Sequence, residues 1–220
     1  MKSIYGPHHR TLQDWFDTRR MADLIETNNI RSTFTEADRV FLETRDMFWL
    51  ASADLEGRPT VSYKGGDPGF VRVVNDHTLI FPIYDGNGMF LSAANIAANN
   101  QVGLLFMDFE KPNRLRVQGT ATISNDDPLI GLYPEAQLLV RVTPTEIFLN
   151  CNRYVHHYQK VNASRYVPRA NTPTPLAGWK RIDILQNALP RTDQRQINTA
   201  HDLISLEDWL GMVARGDDNA

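Results

Sequence analysis

Thr60, Ser62 and Lys64 alternate within the run Gly57-Arg58-Pro59-Thr60-Val61-Ser62-Tyr63-Lys64-Gly65-Gly66. If the run is an extended strand, its two-residue period puts those three on one face and Val61 and Tyr63 on the other. Two hydroxyls and an ammonium in a row make a seat for phosphate, because each donates hydrogen bonds and Lys64 adds countercharge. The glycines of Gly65-Gly66-Asp67-Pro68-Gly69 permit close backbone approach and an anion-binding concavity. A solvated strand face ending in a turn has the same pattern, and on spacing alone that plainer reading is the commoner one.

Two further runs carry potential chemistry. Tyr84-Asp85-Gly86-Asn87-Gly88-Met89 follows a strand pattern and precedes a helical one, so its backbone N–H groups suit an anionic ligand. Its glycines, and Asn87, tolerate left-handed backbone; an ordinary connecting loop is the alternative. In Arg114-Leu115-Arg116-Val117-Gln118-Gly119, alternation sets Arg114, Arg116 and Gln118 on one face and Leu115 and Val117 toward a core. Those guanidinium groups suit phosphate or a cofactor carbonyl, or else pair with Asp108 or Glu110 across the hairpin.

Other reactive side chains read as structural. His8-His9 and His156-His157 are adjacent pairs, so their side chains diverge, and neither has a further ligand at the usual metal spacing. Cys151 lacks a partner at catalytic spacing and reads as a buried, inert thiol. No Gly-x-Ser-x-Gly, P-loop or Gly-x-Gly-x-x-Gly signature occurs.

The elements that must position these residues are mostly strands. Residues 1–45 read as helical, with Leu12, Trp15, Phe16, Ala22 and Ile25 at helical spacings. A second helix opens at Thr35, capped against Asp38, and is expected to bury Val40 and Phe41. Strand patterns then cover Phe48–Ala53, Arg58–Lys64, Phe70–Val74, Thr78–Phe81, Val102–Phe109, Arg114–Ser124 and Gln137–Asn150, the last bent at Pro144. Short helices are expected at Ser92–Asn99, after Asp127-Pro128 and at Arg153–Val161. Ser205-Leu206-Glu207-Asp208 opens a final helix that Gly216 ends.

Composition narrows the function classes. Lys+Arg 23 against Asp+Glu 26 gives a charge of −3, which argues against a nucleic-acid binder working by bulk basic surface. Eighteen of the 23 cations are Arg, a bias that suits bidentate anion capture and that base composition alone also produces. The longest uncharged apolar run, Val102–Met107, is far below the ~20 residues of a membrane span. With one cysteine and no secretory pattern at its start, the chain is expected in the cytoplasm.

Taken in order, the three chemical runs resemble the pyridoxamine 5'-phosphate oxidase-like family of FMN-binding split barrels, over roughly Phe34–Asn152. The likeness is strongest in Ala53–Gly66, Leu79–Phe106 and Arg114–Thr122. The resemblance implies a mainly β fold, a six-stranded antiparallel split β-barrel with N- and C-terminal helical additions. Residues 1–45 would pack on a barrel of 46–152, and 153–220 would extend the same domain. It also implies FMN, with the phosphate on Lys64, Ser62, Thr60 and Arg58. Phe81, Pro82 and the loop carrying Asp85, Asn87 and Gly88 would run beside the isoalloxazine, with Arg114 and Arg116 at its polar edge. The cofactor would lie between two subunits of a homodimer, with Trp15 and Phe16 contributing to the contact.

Gly86-Asn87-Gly88-Met89 lacks the Arg-Lys pair of the oxidase itself, so the vitamin B6 reaction is not expected. The chain looks more like the bacterial flavin-nucleotide-binding branch. The implied activity is an FMN-dependent oxidoreductase on a small molecule. Non-catalytic flavin or nucleotide binding is the alternative, and haem or a deazaflavin are the rival cofactors.

Overall fold

The computed structural model describes residues 3–200 and 203–220, with backbone alone for 198–200. The chain divides into two compact units, Met1–Ala163 and Ser164–Ala220.

The first unit opens with three helices, α1 (Pro7–Trp15), α2 (Arg19–Asn29) and α3 (Glu36–Glu43). Arg10 ties α1 to α2 through Asp23 at 2.6 Å, while Trp15 and Phe16 remain 74% exposed. The expected cap of α3 is present: the Thr35 hydroxyl accepts from Asp38 N, and the Asp38 carboxylate accepts from Thr35 N at 2.8 Å. The helix does not bury Val40, which is 57% exposed; Asp38 and Leu42 face inward instead. These two lie one turn apart, and Val40, midway between them, falls on the opposite side. Phe41 is half-buried beneath the Arg45 guanidinium.

Seven strands follow, one more than the six expected. They are β1 (Met47–Ala53), β2 (Pro59–Gly65), β3 (Arg72–Asn75), β4 (Thr78–Ile83), β5 (Gln101–Asp108), β6 (Asn113–Ser124) and β7 (Leu138–Leu149). All neighbours are antiparallel in the order β2-β1-β5-β6-β7-β4-β3, and the ladder does not close into a ring. The extra strand is β3, a short edge that pairs with β4 alone.

The open sheet is nevertheless strongly coiled. β1 and β4 stand four places apart in the order, about 19 Å in a flat sheet. Yet the Phe48 and Phe81 rings meet edge to face at 4.9 Å. Phe48 also stacks on Phe106 and Phe70, so one apolar core draws on both ends of the sheet. The β6–β7 register shifts at a bulge where Gly119 opposes Pro144. A Cβ on Gly119 would collide with the Thr143 carbonyl and stand 2.9 Å from Pro144 Cα. Helix α4 (Leu91–Ala98) packs on β1 and β2, where Asn95 Nδ2 donates to the buried Ser52 hydroxyl at 3.2 Å.

Three local expectations are corrected. The chain after Asp127-Pro128 makes only a single 3-10 turn, Ile130–Leu132. Residues 153–161 form no helix; Tyr158 N instead donates to Phe109 O at 3.2 Å and its ring packs edge-on against Phe109. Cys151 is exposed rather than buried, because it lies beyond the end of β7, where the core has ended.

The second unit holds 3-10 segments Gly178–Arg181 and Asp183–Ala188 and helices α5 (Arg191–Ala200) and α6 (Leu206–Arg215). Ser205 caps α6 through Asp208 N, and Gly216 ends it in left-handed backbone, as its sequence implied. No helix among the described residues is long and apolar enough to cross a membrane.

Candidate functional site

Alternation along β2 produces the expected division of faces. Thr60, Ser62 and Lys64 are half-buried on the inner side, while Val61 and Tyr63 are 67% and 62% exposed on the outer. The inner row borders a cleft of about 380 Å³, closed by the loop after β4 and by the first turn of α4. Asn87, Gly88, Tyr84, Ser92 and Gln137 complete its polar lining, and Met89, Phe90 and Leu91 form an apolar rim.

Local backbone aims α4 at this cleft. Gly88 (φ 75°) and Phe90 (φ 48°) both take left-handed conformations, which for a bulky residue such as Phe90 costs about 1–2 kcal/mol. The Asn87 side chain accepts from Met89 N at 3.1 Å and holds the turn. The first α4 hydrogen bond from beyond the opening turn runs from Ala94 N to Phe90 O. The N–H groups of Leu91, Ser92 and Ala93 therefore have no intrahelical acceptor, and they carry the positive end of the helix dipole.

Lys64 lies against that positive end. Its Nζ donates to the Ser92 hydroxyl at 2.9 Å, and among the described residues no carboxylate pairs with it. Burial alone pushes its pKa below the ordinary lysine value of 10.5. A desolvated ammonium, an adjacent hydroxyl and free N–H groups converge with no negative charge among them. That arrangement is complementary to an anion. Burial and the nearby Asp67 carboxylate push the Tyr84 phenol up to about 12, so Tyr84 stays neutral at physiological pH.

The residues singled out from the sequence separate into distinct places. Thr60, Ser62, Lys64, Asn87 and Gly88 line the cleft together. Asp85 stands at its edge, accepting from Gln137 Nε2 at 3.4 Å. Arg58 lies outside it, in the β1–β2 turn, paired with Asp54 at 2.6 Å and Glu56 at 3.0 Å. Phe81 and Pro82 are buried beneath the loop, and Phe81 belongs to the core.

Arg114 and Arg116 project from the outer face, as alternation required, but neither pairs with Asp108. Asp108 is taken by Arg45 at 2.8 Å and by the backbone N–H groups of Glu110 and Lys111. Ser92, Tyr84 and Gln137 were missed; only a serine at the start of a helix following a Gly-rich loop signalled the first.

A Lys-anchored anion cleft on a coiled antiparallel sheet coincides with a family assignment. The model of the pyridoxamine 5'-phosphate oxidase family matches residues 34–151, and the chain belongs to that family. No curated protein matches the chain. Among solved structures, HupZ of Group A Streptococcus is 19% identical, with a TM-score of 0.44 over 57% of this chain and 99% of its own. An FMN-binding protein from Syntrophomonas wolfei is 13% identical, with a TM-score of 0.39 over 66% of this chain and 98% of its own. The heme storage protein HutZ from Vibrio cholerae is 21% identical, with a TM-score of 0.39 over 50% and 89%.

Proposed function

We infer that the cleft holds FMN by its phosphate and that the chain is an FMN-dependent oxidoreductase acting on a small molecule. The observation that carries the reading is Lys64, desolvated against Ser92 and the α4 N-terminus with no acid to neutralise it. Its donor set matches a phosphate monoester: Thr60, Ser62 and Ser92 hydroxyls, the Lys64 ammonium and the free N–H groups of α4. Family membership supports the same ligand class. Bound FMN would supply hydride or single-electron chemistry. The chain's own task is then to anchor the phosphate, exclude water with Met89, Phe90 and Leu91, and offer the neutral Tyr84 phenol as a donor.

A homodimer completes this reading. The outer face of β2, β1 and β5 presents Tyr63, Trp49 and Leu105 in one cross-strand row and Val61, Ala51 and Gly103 in the next. Such an apolar sheet face fits a second copy of itself.

The absorbance spectrum of the purified protein tests the cofactor, since flavin, deazaflavin and haem absorb differently. Turnover with a reductant and oxygen tests the activity. The absence of a cation from Gly86-Asn87-Gly88-Met89 favours one second reading, tight flavin binding without turnover. A loaded protein that reduces and reoxidises no faster than free FMN would establish it.

A further inference from the structure

Apart from Ser92 and Asn95, helix α4 is wholly apolar, and both of those polar side chains are buried. Ser92 faces the cleft, where Lys64 Nζ donates to its hydroxyl at 2.9 Å. Asn95 lies nearly one turn further along the same side of the helix. The cleft is lined from α4 by Leu91, Ser92 and Ala93, so Asn95 stands behind it. There its Nδ2 donates to the Ser52 hydroxyl at 3.2 Å. Ser52 is itself buried, follows Phe48 and Leu50 on the inner face of β1, and opposes Thr60 of β2. At the end of the helix, Asn99 Nδ2 donates to Asp54 O at 3.3 Å.

The other two buried residues of α4, Ala93 and Ile96, are apolar. Apolar burial is non-directional, so it does not by itself fix how the helix is rolled or where it sits along β1. A hydrogen bond between two buried groups does. Shifting α4 by one residue turns it by about 100° and advances it by about 1.5 Å. Asn95 would then leave Ser52 and lie buried with its amide unsatisfied, which is expensive. The same turn would carry Ser92 and the free N–H groups of Leu91, Ser92 and Ala93 away from Lys64. One setting of the helix therefore satisfies the amide behind the cleft and forms the anion seat in front of it.

Resting on the reading that the cleft seats the FMN phosphate, we propose that Asn95 and Ser52 are a positioning pair for that phosphate. Their hydrogen bond fixes the roll of α4, so that Ser92 and the helix N-terminus meet the anion beside Lys64. Both residues act through the helix rather than on the ligand.

The test uses the full chain and compares FMN with riboflavin, which has the same ring system without the phosphate. Fluorescence titration reads both affinities, and a thermal melt reads each ligand-free variant. Combining Ser52→Ala with Asn95→Leu makes both partners apolar and leaves no orphaned group, an exchange close to neutral for stability. That double variant should melt near the wild type and bind riboflavin equally well, while its FMN affinity falls about tenfold. Ser52→Thr, which keeps the hydroxyl, should retain the wild-type FMN affinity. Should the double variant fail to fold, Ser52→Ala alone decides: it too should weaken FMN and leave riboflavin unchanged. An unchanged preference for FMN over riboflavin in these variants, or an equal loss of both ligands, would overturn the positioning role and leave the phosphate reading intact. A wild type that binds FMN no more tightly than riboflavin would overturn the phosphate reading itself.

Discussion

Lys64 and Arg114 project from opposite faces of a single coiled sheet. The row Lys64–Phe48–Phe106–Leu115 crosses its inner side, and Arg114 follows Leu115 on the outer side. Among the described residues neither has an acidic partner, but their surroundings differ. Lys64 is desolvated beside hydroxyls and a helix terminus, a setting for a compact anion. Arg114 lies at the start of β6 on an outer face that also carries Arg116 and Gln118, and its Nε is buried without a hydrogen-bond partner.

Replacing Lys64 should separate binding from stability. Lys64→Met removes a charge-assisted contact worth about 1.5–3 kcal/mol, so FMN affinity should fall by about 10- to 150-fold. Riboflavin, which lacks the phosphate, should bind the variant as it binds the wild type. Without ligand, the variant should melt at the same temperature or higher, because no desolvated ammonium remains. Flavin fluorescence titration and a thermal melt measure the two effects. Unchanged FMN affinity would sink the phosphate assignment.

The depressed pKa of Lys64 fixes the direction of two pH effects. In the ligand-free protein the native state loses this proton at lower pH than the unfolded chain does. Between the native pKa and 10.5 the unfolded state therefore binds more protons, and stability rises with pH across that window. The stability advantage of Lys64→Met is accordingly full at neutral pH and fades toward 10.5. A bound phosphate raises the pKa again, so FMN affinity should decline in alkaline solution from below 10.5, while riboflavin affinity stays flat. Titrations at pH 7 and above keep the phosphate itself ionised, its second pKa being about 6.

Substituting the hydroxyl partner by an acid should have the opposite profile. Ser92→Asp places a carboxylate in the first turn of α4, where the helix dipole favours it by about 0.3–1 kcal/mol, and next to Lys64. The ligand-free protein should gain stability, read as a higher urea midpoint. FMN affinity should fall as far as in Lys64→Met or further, since the anion now meets a negative charge. A variant that still binds FMN normally would show that the phosphate does not approach Ser92.

What the sequence made legible was mostly local. The alternation of β2 and β6, the Thr35 and Ser205 caps and the hairpins follow from side-chain period and turn chemistry, and the structure has them. The coiling that brings Phe81 against Phe48 depends on side chains far apart in the chain, and no local pattern encodes it. Ser92 was missed for the same reason. A serine in a first helical turn is ordinary until Lys64, from another strand, is set against it. Distance in sequence also hid the fate of Asp108, whose partner Arg45 precedes β1 rather than lying across its own hairpin. The six-strand expectation came from family likeness, although the strand-like runs themselves numbered seven, as the structure has them.

Gly119 provides a test of the fold that is independent of any ligand. The β6–β7 register shifts at this residue, opposite Pro144, and Thr145 Oγ1 donates to Gln118 O at 3.3 Å beside the bulge. A Cβ at Gly119 meets backbone, the Thr143 carbonyl and Pro144 Cα, rather than the end of a flexible side chain. Relief requires the two strands to separate at the bulge. Gly119→Ala should therefore destabilise the protein by about 1–3 kcal/mol or more, as overpacking against an unyielding neighbour does. Urea unfolding should show a lower midpoint at an unchanged slope, the slope reporting the surface exposed. Gly131→Ala, where a Cβ meets nothing within 4 Å, is the control and should leave the midpoint within about 0.5 kcal/mol of wild type. Equal behaviour of the two variants would mean that the bulge tolerates a side chain.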